Sequence, residues 1–587
     1  MLEKLEKPII NAHTHIFIGE NVAPEIAKTI LPFPLYKFFT IPLIIGLFRF
    51  WYSNKNSPYK YRFKATYKFL QKIKLWINTH LLSNFIGDFI FKTIGLIIVL
   101  LSTYFIAKNV LRFNIVFIDY NFEYLLKKIN FTNHLITLLK VTIIICSFIF
   151  IPIGRNLGIL ILKTSQKIPS VFFNKKNIDF ALRYINIGRF AYYHDQRTLF
   201  SKLQGQYPQD TKFVVLPMDM EFMDSGKTSK AGNYKSQMEE LKIIKDKLGD
   251  KILPFVFIDP RRIELNQNKI DAVLEQVFFK WTANDGKVTL GDCFIKEYIE
   301  KEKFNGFKIY PALGYFPFDE KLLPLWKYAA DNGIPITTHC IRGSIYYRGK
   351  KKKEWNYHQV FKERIPDSDN QYTNLLLACQ KNVDFSNDFT HPLNYLCLLE
   401  PILFSELVAQ SSREIKDLFQ YNPDTKTVKH NLSKLKICLA HFGGDDEWKK
   451  YLESDRENYS RQIIVQPSIG IEFIKNNSLI KSYGTLANIW NYVDWYSIIC
   501  SMMLQYDNVY ADISYIIHNN EIFPLLKQTL KNENLKSKVL FGTDFYVVRN
   551  HLTEKEMLAN TMANLSKDEF DCIARENPLK FLKQIEH

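Results

Sequence analysis

The 587-residue chain has no Cys-x-x-Cys pair, no internal repeat and no extended low-complexity tract. Its eight cysteines (Cys146, Cys293, Cys340, Cys379, Cys397, Cys438, Cys500, Cys572) are scattered, several of them inside apolar runs. They read as reduced, buried thiols of a reducing compartment, not as a disulfide framework. A secretory signal is also missing: residues 1–7 carry Glu3, Lys4, Glu6 and Lys7 and hold no apolar core.

Acidic residues are scarce in one segment only. From Glu20 to Phe190 there are 23 Lys and Arg against 6 Asp and Glu, so the whole net charge of +17 resides there and the rest carries 54 of each sign. The same segment is the most apolar of the chain. Basic charge beside apolar runs suits an anionic membrane surface better than a phosphate backbone, so nucleic acid is not expected as a partner.

Charge-free runs of full bilayer length are lacking too. Thr93 to Ala107 spans 15 residues between Lys92 and Lys108, and Val141 to Gly154 spans 14, extendable to Asn133 across Lys140. Crossing a bilayer takes about 20 apolar residues, so each run suffices only if a terminal lysine or arginine snorkels. A third stretch, Leu35 to Tyr52, contains Lys37, Pro42 and Arg49 and is suited to lying in the interface. If the runs cross, they cross an even number of times, with Asn114 to Thr132 as the exposed loop. The basic flanks then put the remaining chain on the cytoplasmic side.

What the chain does contain is a series of Val-, Ile- and Phe-rich runs, each closed by Pro, Gly or a polar cluster. They are "PIINAHTH" (8–15), "KFVVLPMDM" (212–220), "KILPFVFIDP" (251–260), "FNGFKIYP" (304–311), "GIPITTHC" (333–340), "KICLAHFGG" (436–444), "NVYADIS" (508–514) and "KVLFGTDF" (538–545). Helical patterns fall at roughly 195–206, 234–248, 320–332, 371–381, 446–453, 521–531 and 553–564. Eight apolar strands alternating with helices predict an α/β chain folded as a (β/α)8 TIM barrel. The division expected is a first barrel strand in 1–19, a basic, apolar, helical, membrane-associated insertion at 20–190, and the rest of the barrel at 191–587. A long loop insertion occupies about 341–435. The large insertion follows the carboxyl end of strand one, the face on which barrel active sites are built.

At the carboxyl ends of these strands stand His13 and His15, Lys308, His339, His441 and Asp544. His13 and His15 share one face of an extended strand, so two imidazoles can share a metal. Neutral imidazoles with a carboxylate suit a divalent ion such as Zn2+.

In that order, "NAHTH", "GFKIYP", "ITTHC", "LAHFGG", "VYADIS" and "LFGTDF" resemble the amidohydrolase superfamily of metal-dependent hydrolases, in the branch that includes aminocarboxymuconate-semialdehyde decarboxylase. The resemblance covers residues 8–17 and about 210–585, not the insertion. It implies His13, His15 and His339 as ligands and Asp544 as ligand and proton acceptor. It makes His441 a second-metal ligand or a substrate-polarising group. One or two Zn2+ ions would activate a water for attack on an amide or ester bond. Lys308 is either carbamylated between two ions or an unmodified lysine facing substrate, with Tyr310 on the same strand face.

Further candidates are Arg342 for a substrate carboxylate or phosphate and His391 on a lid. Asp219, Glu221, Asp259, Arg261 and Asp512 read as groups orienting imidazoles or as rim polar residues. The run "RGKKKKEW" (348–355) is a candidate contact for anionic headgroups. The expected partners are a small-molecule or amphiphilic substrate and membrane lipids. The alternatives are a zinc-dependent non-oxidative decarboxylase and a membrane-anchored barrel without turnover.

Overall fold

The computed structural model describes residues 7–29, 35–52, 65–80, 85–109, Asn156 and 193–584, except 264–268, 344, 366–367, 369–370, 454–457, 477, 546 and 548–550. Eight parallel strands follow one another in chain order around one sheet: β1 (Ile10–Thr14), β2 (Lys212–Val215), β3 (Ile252–Phe257), β4 (Gly306–Ile309), β5 (Ile336–Ile341), β6 (Ile437–Gly443), β7 (Val509–Asp512) and β8 (Val539–Leu540). A parallel bridge between Thr14 and Phe545 joins the last strand to the first. Ala12 N–H donates to Phe541 O at 2.8 Å and His15 N–H to Phe545 O at 2.6 Å across the same seam. The sheet is a barrel closed by its first and last strands, and all eight expected strands are present.

Apart from the half-buried Lys212, Leu253 and Ile341 the strands are buried, as a sheet covered by helices requires. The helix Tyr234–Leu248 shows how it is covered. Tyr234, Met238, Leu241 and Ile244, spaced four, three and three apart, form its buried stripe, and the Asn233 side chain accepts from Ser236 N–H at its start. Each such side chain contributes on the order of 2 kcal/mol by burial. At the amino-terminal floor of the barrel, Ile10, Ala12, Val214, Leu216, Phe255, Cys438, Tyr510 and Leu540 pack together with Phe581 of the helix Asn577–Leu582. Deleting the Phe581 ring would open that floor.

One irregularity matters for what lies above. A regular strand sends alternate residues to opposite faces, yet Ile10 and Ala12 join the interior cluster while His13 also points inward to reach β7. The pairing of β1 with β2 shifts between Asn11 and Thr14. That bulge is what lets even-numbered apolar residues and odd-numbered imidazoles share one interior.

The long connection after β5 differs from expectation. The pattern at 371–381 forms the strand Tyr372–Leu376, paired antiparallel with Tyr357–Arg364, and a helix begins only at Asn382. Leu375 is fully buried from that ribbon, which outweighs the helical spacing of "LLLA".

By compactness the chain separates into one unit of Met1–Arg49 with Leu182–His587 and a second of Phe50–Ala181. In the first, Ile41 and Ile45 of the helix Ile41–Tyr52 are buried. In the second, the helices Ala65–His80 and Phe85–Asn109 are described. The longer one covers the run Thr93 to Ala107 and exposes Phe85, Ile86, Phe89, Ile90 and Ile94. Among the described residues no single helix is long and apolar enough to cross a membrane. Lys108 and the ion-paired Asp88 and Lys92 (2.6 Å) bound the apolar run of the longer helix, and the second run, at 141–154, lies outside the described residues.

Candidate metal centre

Side chains from β1, β4, β5, β6 and β7 and from the segment after β8 meet above the barrel floor. His13 leaves β1 fully buried, and its Nδ1 lies 2.9 Å from Asp512 Oδ2 at the end of β7. His15 directs Nδ1 to the carbonyl oxygen of Leu216 at 2.8 Å. Each imidazole therefore donates from Nδ1, and each Nε2 is left as an acceptor. Those two Nε2 atoms are 3.2 Å apart, and Asp544 Oδ1 lies 3.2 Å from the one on His15 and 3.7 Å from the one on His13.

Three acceptor atoms facing each other with no proton between them repel unless a cation lies among them. Two nitrogens each about 2.1 Å from one ion are separated by about 3.0–3.4 Å. His13, His15 and Asp544 thus fit a divalent cation by separation, burial and donor type. A second group of atoms within the same reach is His13, His441 and Asp512.

His441 is oriented by residues on β7. Asp512 Oδ1 accepts from the backbone N–H groups of His441 and Ser514, both at 3.0 Å, and from the Ser514 hydroxyl. Having donated to Asp512, Ser514 Oγ accepts from His441 Nδ1 at 2.9 Å, which leaves His441 Nε2 as an acceptor toward His339 Nδ1 at 3.1 Å. His339 Nε2 is buried with no hydrogen-bond partner. The ring of His339 stacks on Tyr310 at 3.8 Å.

Burial, reinforced by the Lys308 charge and by neighbouring imidazoles, pushes His13 and His339 well below the ordinary histidine range. His441 falls to about 3 for the same first reason, although Asp544 and Asp512 oppose it. All three are neutral near pH 7; His13 and His339 keep an Nε2 lone pair for a metal, whereas that of His441 accepts from His339 Nδ1. Lys308 is fully buried on β4, its ammonium has no hydrogen-bond partner, and burial brings its pKa down to about 8 against the pull of Asp512 and Asp544.

The backbone is strained where the candidate ligands sit. His441, Phe442 and Asp544 have φ of 64°, 45° and 61°, a left-handed conformation that costs a non-glycine residue on the order of 1 kcal/mol or more. Gly542 is needed for a different reason: a Cβ there would stand 2.8 Å from the His13 Cβ, so only glycine lets the last strand approach the first this closely.

Other candidates lie further out. Arg342 pairs with Glu447 at 3.2 Å, lies over Trp495, and is half exposed. His391 stacks on Trp490 at 3.9 Å and accepts at Nδ1 from Leu393 N–H, with Nε2 buried and unpartnered. Arg261 clamps Asp259 through two nitrogens, and Arg262 bridges Asp219 and Asp271. These carboxylates are therefore rim ion pairs, whereas Asp512 does orient imidazoles. Glu221, half-buried beside Asp219, is pushed upward by burial. Within 348–355, Lys351 is committed to the carbonyls of Leu377 and Cys379, at 2.5 and 2.8 Å. Ser514 escaped the sequence reading although it stands in "VYADIS", because its role depends on Asp512 taking its proton.

No family model and no curated protein match the sequence. Solved structures do. The 5-carboxyvanillate decarboxylase from Sphingomonas paucimobilis is 10% identical, with 68% of this chain and 85% of that one covered at a TM-score of 0.34. A putative amidohydrolase from Staphylococcus aureus is 13% identical over 66% and 90% of the two chains, TM-score 0.31. A dihydroxybenzoic acid decarboxylase from Polaromonas with bound manganese is 12% identical over 71% and 92%, TM-score 0.31.

Proposed function

We propose that this chain is a metal-dependent hydrolase of the amidohydrolase type that cleaves an amide or ester bond with activated water. The observation that carries the reading is the convergence of His13 Nε2, His15 Nε2 and Asp544 Oδ1. A divalent cation, zinc by preference for this donor set, supplies Lewis-acid polarisation there and lowers the pKa of water to near 7.

The protein's own groups have distinct tasks in this reading. Asp544, which presents Oδ1 to the imidazoles, has a second oxygen to accept a proton and return it to the leaving group. Lys308 places an ammonium where negative charge develops on the substrate. His441, held through Ser514, is a further ligand or a polarising group. Tyr310, flat against His339, walls the pocket. Arg342 and His391, both beside Trp495, recognise the far end of the substrate.

Non-oxidative decarboxylation is the second reading, and Lys308 favours it: a buried ammonium without a hydrogen-bond partner suits a substrate carboxylate. An amphiphilic substrate and lipid contact are part of the proposal, with the barrel facing the cytoplasm. Support comes from the exposed apolar side chains of Phe85–Asn109 and from the excess positive charge between Glu20 and Phe190.

Elemental analysis of the purified chain, followed by incubation with amphiphilic amides, esters and carboxylic acids, tests the reading. A freed amine or alcohol supports hydrolysis and CO2 supports decarboxylation; absence of any stoichiometric divalent metal removes both. Sedimentation with phosphatidylglycerol vesicles tests lipid contact, which falls if the protein stays in the supernatant.

A further inference from the structure

Asn11, two residues before His13, belongs to a ring of hydrogen bonds that none of the proposed chemistry uses. Asn11 Nδ2 reaches Tyr207 OH at 3.1 Å and Thr543 Oγ1 at 2.8 Å. Both hydroxyls then donate to the same oxygen, Glu554 Oε2, at 2.7 Å from Tyr207 and 2.8 Å from Thr543. Asn11 and Thr543 are wholly buried, and Glu554 is 2% exposed.

Hydrogen count gives this ring a direction. Each hydroxyl has one proton, and a carboxylate oxygen accepts both of them. Each hydroxyl can then only accept from Asn11, so both amide hydrogens of Asn11 are committed and its carbonyl oxygen must turn the other way. That oxygen accepts from the backbone N–H of His13 at 3.2 Å. The bond replaces a ladder bond at the point where the β1–β2 register shifts. On the opposite side, Thr543 precedes Asp544, and the N–H groups of both reach His13 O, at 3.3 and 2.9 Å.

We infer that Glu554 is a positioning residue for the metal centre: by orienting Asn11 and Thr543 it sets the β1 bulge, and with it the separation of His13 and His15 from Asp544. The inference rests on the metal reading above. Burying a carboxylate in a hydrogen-bonded ring is a costly way to hold two strands together, and a packed apolar pair would serve as well. Specifying which way Asn11 points is something an apolar pair cannot do.

The test is zinc affinity by chelator competition on the full chain, alongside the thermal midpoint of the metal-free protein. Glu554→Ala should lose tenfold or more in affinity while still folded, and Glu554→Gln, which keeps an acceptor oxygen, should stay within about threefold of the wild type. Tyr207→Phe removes one donor of the ring and carries the test if Glu554→Ala does not fold; its affinity should fall about threefold or more, and wild-type affinity there overturns the inference. A folded Glu554→Ala protein with wild-type affinity overturns the inference, as does Glu554→Gln binding as weakly as Glu554→Ala. A wild-type chain that binds no zinc overturns the metal reading itself, an outcome distinct from either.

Discussion

Asp512 Oδ2 holds His13 Nδ1 at 2.9 Å, and in doing so decides which His13 nitrogen faces His15. Replacing Asp512 by Asn puts an N–H where His13 needs an acceptor, favouring the other tautomer and protonating Nε2. Asp512→Asn should lower zinc affinity about 10–100-fold. Metal content after dialysis against a weak chelator measures it. Retention equal to the wild type would show that Asp512 does not set the tautomer.

Lys308 offers a prediction of opposite sign for stability. Its folded pKa of about 8 lies below the ordinary 10.5, so between those values the unfolded chain binds more protons and stability rises with pH. Below pH 8 the full penalty applies, on the order of 3 kcal/mol. Lys308→Met should therefore raise the thermal midpoint of the metal-free protein at pH 7 and abolish turnover. A lower midpoint would mean that the ammonium has a counter-charge.

A buried histidine away from the centre should set part of the acid limb. His358 accepts from the N–H groups of Val360 and Phe361 at Nδ1 and meets Asn394 Oδ1 through Nε2 at 3.1 Å, so it is held neutral, and burial lowers its pKa to about 3. Between pH 6.5 and 3 the unfolded chain takes up a proton that the folded one refuses. Stability is lost as pH falls through this window, by up to about 1.4 kcal/mol per unit from this residue. In an NMR titration the His358 ring signal should stay fixed from pH 7.5 to 4; a midpoint near 6 would contradict this.

Arg342 separates recognition from architecture. Arg342 itself is half exposed, and its buried partner Glu447 keeps Lys450 at 3.8 Å and the Trp495 N–H at 2.9 Å, so the loss of this pair costs on the order of 1 kcal/mol. Arg342→Ala should leave the thermal midpoint within a few degrees of the wild type while raising KM for an anionic substrate about tenfold or more. An unchanged KM would leave Arg342 as a rim ion pair alone.

The barrel was legible because strands such as "KILPFVFIDP" and "GIPITTHC" are continuous apolar runs with sharp ends, a pattern that a doubly covered parallel strand shares with few alternatives. His13 and His15 stood out by their spacing of two. The reason they point inward was hidden, since simple alternation would send Ile10 and Ala12 to the opposite face. The bulge that reconciles them depends on Glu554, whose partner Thr543 bonds Asn11 across 532 residues. Local pattern cannot report a bond of that span. His339 lies within electrostatic reach of His13 and His15, and its contact with His441 was hidden because it depends on the chain from Asp512 through Ser514 that turns the His441 ring toward it. The ribbon at 357–376 was missed where a partner strand overruled helical spacing.

The bridge from Thr14 to Phe545 has a consequence for the order of events at the ribosome. His13 and His15 emerge early, but their carboxylate neighbour is synthesised after the other seven strands have appeared. Until then the imidazole pair is an open, low-affinity chelate on an unfinished sheet. In the proposed reading ion capture is the closing act of folding, and a chain truncated before Asp544 should retain no cation.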